Sequence, residues 1–106
     1  MTTSEFKELA LSFPGSVDSP HFDRVAFKVI NKRTYATLDV ANAAANIKFS
    51  PADQAIFCEF DPKTVYPVPN KWGLQGWTTF ELENLPKELI LDALETAYND
   101  VVKRKK

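Results

Sequence analysis

The apolar positions of the chain switch between helical and strand periods. Phe6, Leu9, Ala10 and Phe13 recur at i, i+3, i+4 spacing and predict a helix over Thr3–Phe13, with Thr3 or Ser4 as cap and Pro14-Gly15 as its stop. "GSVDSPHF" has no period and reads as a loop. In "RVAFKVI", Val25, Phe27 and Val29 alternate with Arg24, Ala26 and Lys28, which predicts a half-buried strand. "NK" fits a tight turn, and "RTYATLDV" a second strand with Thr34, Ala36 and Leu38 on one face and Arg33, Tyr35, Thr37 and Asp39 on the other. "ANAAAN" reads as a connection, and "NIKFS" as a short third strand with Ile47 and Phe49 inward and Lys48 outward.

"SPADQAIFCEF" carries a helix start: Ser50 as cap, Pro51 at the first position and Asp53 in the first turn. Ile56, Phe57 and Phe60 are its expected buried side. "DPKT" ends it, and "VYPVP" is extended because proline and the residue before it disfavour helix. "WTTFELE" is the last strand, with Thr78, Phe80 and Leu82 on one face and Trp77, Thr79 and Glu81 on the other. Two adjacent apolar rows, Leu89, Ala93, Ala97, Val101 and Ile90, Leu94, Tyr98, Val102, predict a helix from about Pro86 to Val102. The order helix, three strands, helix, two strands, helix implies an α+β fold of two layers, with an antiparallel sheet and the helices on one face. The open face would then carry Lys28, Tyr35 or Thr37, Lys48, Trp77 and Thr79.

The 106 residues suit one domain, spanning 1–106. No apolar run reaches the length of a membrane span, and "MTTSEFKELALSFPG" is unlike a signal peptide, so a cytoplasmic protein is expected. The lone Cys58 and lone His21 exclude an internal disulfide and a two-histidine metal motif. No phosphate-binding glycine loop, nucleophile elbow or zinc signature occurs, so no catalytic residue, metal or cofactor is expected. His21 has Asp18, Ser19 and Asp23 close by in sequence, but no nucleophile–base pair is implied by that spacing.

Net charge is −1, yet its distribution is uneven. Residues 21–50 carry five basic and two acidic side chains, net +3, and residues 51–83 two basic and five acidic, net −3. Arg24, Lys28, Lys32, Arg33, Lys48 and Lys71 form a candidate phosphate-contacting set; solvated strand lysines that block edge pairing are the other reading. The basic tail "KRKK" reads as a solvated helix end. Tyr66, Trp72 and Trp77 form a candidate stacking platform, or else a small core that pins a Pro/Gly loop.

The pieces "FPGSVDSPHF", "KFSPADQ" and "YPVPNKWGLQGWT", in this order and spacing from Phe6 to about Val101, resemble the MmcQ/YjbR family. His21, Phe22, Lys48, Ser50, Pro51, Tyr66, Pro67, Trp72, Gly73, Gly76 and Trp77 match its motifs. The resemblance implies an α-β(3)-α-β(2)-α domain akin to secretion chaperones, with strand hairpins forming a double wing, and a DNA-binding role without a characteristic cofactor. The alternative reading is a domain that binds a small anionic or aromatic ligand, or a protein, on the open sheet face around His21, Lys48, Tyr66 and Trp77.

Overall fold

Helix α1 (Thr3–Leu11) begins one residue earlier than Thr3 would allow as cap. Thr2 accepts the Glu5 N–H at 3.1 Å, and the Glu5 carboxylate accepts the Thr2 N–H at 2.9 Å. This reciprocal pair satisfies two N–H groups at the helix start. The computed structural model describes residues 1–103; the tail expected as a helix end continues into 104–106, outside the described residues. Among the described residues no helix is long and apolar enough to cross a membrane.

The segment expected as a loop is strand β1 (Ser16–His21). It pairs antiparallel with β2 (Arg24–Val29) across a turn at Phe22 and Asp23. β1 lies at the sheet edge and buries little, so its sequence carries no hydrophobic alternation, and Pro20 is tolerated there. β3 (Thr34–Asp39) follows a turn in which Asn31 takes φ 65, as its residue type suggests. β4 (Ala44–Lys48) begins inside "ANAAAN", where a connection was expected. Ala45 there is fully buried, but alanine gives too weak a contrast with asparagine to mark a strand.

Helix α2 (Pro51–Cys58) starts as expected: Ser50 accepts the Asp53 N–H at 3.2 Å. Its buried side is Phe57 alone, stacked on Phe49 with ring centroids 4.6 Å apart. Ile56 and Phe60, expected inside, are 63% and 52% exposed. Ile56 sits about 100° around the helix from Phe57, and Phe60 lies beyond the helix cap at Glu59. β5 (Val65–Pro67), the one-turn helix α3 (Lys71–Leu74), β6 (Trp77–Glu81) and α4 (Lys87–Lys103) complete the chain, with a 3-10 turn at Leu82–Asn84. Leu82 is buried as expected, but from this turn and not from the strand.

The six strands form one antiparallel sheet in the order β1-β2-β3-β4-β6-β5. That is one strand more than the sequence pattern implies. β4 and β5 both run antiparallel to β6, which lies between them, so α2 is a crossover between two parallel strands. Phe6, Phe27, Ile47, Phe80, Ile90 and Leu94 are among the fully buried core residues where α1 and α4 cover the sheet.

One irregularity decides which face β3 presents. Phe27 pairs with Ala36, but Lys28 pairs with Thr34, so Tyr35 is an extra residue in β3. Such a bulge shifts side-chain parity. Tyr35 and Ala36 are therefore both buried, and Tyr35 leaves the open face to which strict alternation assigns it. Its hydroxyl donates to Ala10 O at 3.0 Å and meets Ser16 Oγ at 2.6 Å, tying α1 to the edge strand. Burial pushes the phenol above its ordinary pKa.

The glycines separate two costs. Gly15 and Gly76 both have positive φ, 79 and 106. A Cβ on Gly15 would meet Val29 Cγ1 at an ordinary 3.5 Å, whereas one on Gly76 would lie 1.8 Å from Phe49 O. Gly15→Ala is expected to cost about 1–2 kcal/mol, the left-handed penalty alone. Gly76→Ala is expected to cost more than about 4 kcal/mol, in the range where folding fails. Urea denaturation of the two variants side by side measures the difference.

Candidate functional site

Because the helices cover one face of the sheet, the side chains of opposite parity line the other. The register aligns them in rows: His21 with Arg24, Ala26 with Thr37, Thr37 with Asn46, Asn46 with Thr79, and Lys48 with Trp77. Trp77 is on the open face, as the alternation with buried Thr78 and Phe80 predicts. Across this face runs a concavity of about 420 Å³. Ala26, Thr37 and Asn46 form its floor. His21 and Arg24 stand on one side, and Val68, Asn70, Trp72 and Trp77 on the other.

The tryptophan wall is held by backbone contacts that only glycine permits. Phe49 N–H donates to Gly76 O at 3.0 Å, and Val68 N–H to Trp77 O at 3.0 Å. A Cβ on Gly73 would lie 2.0 Å from Val68 O, so α3 rests directly on that peptide. Asn70 caps α3 by accepting the Trp72 N–H at 2.8 Å. From the other layer, Gln54 of α2 donates to Gly73 O at 2.9 Å and Trp77 O at 3.2 Å. The sequence carries no signal for Gln54, since a helical glutamine gives no sign of where its amide reaches.

The opposite wall is charged. Arg24 contacts Thr37 Oγ1 at 3.5 Å and the Asp39 carboxylate at 3.7 Å. The hydrogen bond from the Asn42 side chain, more than the Arg24 charge, holds the Asp39 carboxyl below the usual range. His21 is exposed, and its ring meets the Phe22 ring edge-on at 5.0 Å. Phe22 itself is 95% exposed and has φ 60. For a bulky side chain this conformation costs about 1–2 kcal/mol, and no burial offsets it. Cys58 is half-buried and burial pushes its thiol up, away from nucleophilic character.

The candidate residues fall into three groups. His21, Arg24, Trp72 and Trp77 line the concavity together. Lys28, Lys32, Arg33, Lys48 and Lys71 do not line it, but the register places them at one end of the open face: the close of β2, the β2–β3 turn, the close of β4 and the start of α3. Tyr66 belongs elsewhere. It lines a second depression of about 260 Å³ with Asn42, Thr64, Glu81 and Glu83, and its hydroxyl donates to the Glu81 carboxylate. That hydrogen bond raises the Tyr66 pKa. The face is thus polar in charge, with lysines at one end and Asp39, Glu81 and Glu83 at the other.

Comparison with known proteins supports this architecture. The YjbR family model matches residues 11–100. The crystal structure of Deinococcus radiodurans protein DR2400, described by the domain DUF419, superposes with a TM-score of 0.82 at 25% identity, over 97% of this chain and 80% of that one. No curated protein sequence matches the chain.

Two variants test the construction of the walls. Gln54→Ala removes the donations to Gly73 O of α3 and Trp77 O of β6 and is expected to cost about 1–2 kcal/mol. A red shift of tryptophan emission is expected with it. Phe22→Asn places a residue tolerant of positive φ at the turn, and is expected to raise stability by about 0.5–1 kcal/mol in urea unfolding.

Proposed function

The chain belongs to the YjbR family, and on that footing we propose that it is a non-enzymatic DNA-binding protein. The observation that carries this reading is the cluster of Lys28, Lys32, Arg33, Lys48 and Lys71 at one end of the open face, beside the two tryptophans. Phosphates lie along the basic end, where each cation that neutralises one releases a counterion. The acidic end repels the backbone and fixes the direction of approach. Arg24 is engaged by Asp39 and orders the far wall. His21 lacks a carboxylate or nucleophile contact among the described residues, which favours binding over catalysis.

A second reading is favoured by the concavity itself. Two indoles face an imidazole and a guanidinium across about 420 Å³, a volume within the usual range for small-molecule sites. A small planar anion would fit there, and a rise in melting temperature with such a compound would support it.

The DNA reading is tested by titrating a mixed-sequence duplex at several salt concentrations. Affinity is expected to fall steeply as salt rises. Replacing Lys32 and Arg33 together with alanine is expected to flatten the log–log salt slope by roughly 0.9 per lost contact. Undetectable binding at low salt, or binding indifferent to salt, would sink the proposal.

A further inference from the structure

The two tryptophans are the only ones in the chain, and both line the same concavity. Trp77 is partly buried and Trp72 is 51% exposed. Among the described residues neither ring pairs with another aromatic ring, although seven other ring pairs occur. Neither indole N–H donates a hydrogen bond there. A tryptophan that served only to pin the loop would bury its ring and satisfy its N–H. Here Gly73, Gly76, Gln54 and Asn70 hold the loop through its backbone, and the rings are left to face the cavity.

We propose that this cleft takes an unpaired nucleobase, so that the protein prefers single-stranded to duplex nucleic acid. The inference rests on the nucleic-acid reading above and adds the form of the ligand. A base within a duplex has both faces stacked on its neighbours and cannot offer one to an indole inside a concavity. An unpaired base can, because its π-face is available whatever its identity. The small side chain of Ala26 on the floor leaves depth for a flat ring.

The polar lining suits a base edge rich in carbonyls. The Asn70 side-chain oxygen accepts the Trp72 N–H, which leaves its two amide N–H groups as donors. The Asn46 oxygen likewise accepts the Thr79 hydroxyl at 2.8 Å. The Asn46 and Asn70 amides thus offer N–H donors at the cleft, and thymine, with two ring carbonyls, complements them. Lys71 and Lys48 adjoin Trp72 and Trp77 in sequence and in register, on the side where the flanking phosphates would run.

Intrinsic fluorescence reads the cleft directly, since no other tryptophan contributes. A short oligothymidylate and a mixed-sequence duplex of equal length are titrated into the full chain at low salt. Quenching by the oligothymidylate is expected, with affinity at least about tenfold above that of the duplex. Trp72→Ala, at a half-exposed position, is expected to weaken single-strand binding roughly tenfold and so to remove most of the preference over duplex. Its binding is followed by oligonucleotide anisotropy, and its melting curve checks the fold. Trp77→Phe, which retains a ring face, is expected to keep the preference. Equal affinity for both forms, or an unchanged ratio in Trp72→Ala, would overturn the inference while leaving DNA binding intact. Absence of binding to either form would remove both.

Discussion

The open face depends on one close approach: the backbone of Gly76 against the backbone of Phe49. Phe49, one residue past β4, continues its inward row and is stacked on Phe57, so its position is fixed by the core. Its N–H reaches Gly76 O, and its own carbonyl occupies the space where a Cβ at Gly76 would be. The contact joins two layers of information. It carries the rigidity of the aromatic core out to the loop, and it sets where β6 begins. Trp77 follows Gly76 directly, and α3 precedes it by two residues, so both indoles take their places from this junction. The Thr78 hydroxyl donates to the same Gly76 carbonyl at 3.1 Å, which gives that oxygen a second donor and buries no unsatisfied group.

A second constraint comes from the bulge in β3. An extra residue at Tyr35 lets two consecutive side chains enter the core. The gain is a buried phenol that bonds to α1 and to β1, and so couples the first hairpin to the helical layer. The cost is a change of parity, which brings Thr34 to the open face opposite Lys28. The basic end is therefore uninterrupted by the large ring of Tyr35, and the cleft keeps a floor of small side chains. Packing on one face and chemistry on the other are set by the same irregularity.

How far this was legible in the sequence follows from the strength of each local pattern. β2, β6 and the inward row of β4 are read correctly because large apolar residues alternate there with polar ones. Trp77 is placed outward for the same reason, since Thr78 and Phe80 demand the inside. β1 escapes notice because an edge strand buries almost nothing and so needs no alternation. α3 is too short for any period to appear in four residues. Tyr35 is misassigned because a bulge has no signature in a single sequence, and Ile56 and Phe60 because an eight-residue helix buries only a narrow stripe. The cluster of His21, Arg24, Trp72 and Trp77 is partly legible as residue types, but its assembly requires the strand order. Tyr66 departs from it because Glu81, two strand positions beyond its direct partner Thr79, captures its hydroxyl.

Net charge is a poor guide to what such a face can bind. The chain carries −1 overall, which argues against a polyanion if charge is treated as a sum. Across the open face, however, the opposite signs are separated by the length of a strand. Five residues of β4 span about 13–17 Å, and the Debye length at physiological ionic strength is about 8 Å. A phosphate at the Lys28–Lys48 end is thus largely screened from Asp39, Glu81 and Glu83 at the other. Each end then acts with its own sign. On the proposed nucleic-acid reading, the acidic end would limit the length of backbone at the face, and a short, flexible strand would meet that limit more readily than a rigid duplex. Separation of charge along the strands and exposure of the indoles beside the basic end are thus two independent supports for the same proposal.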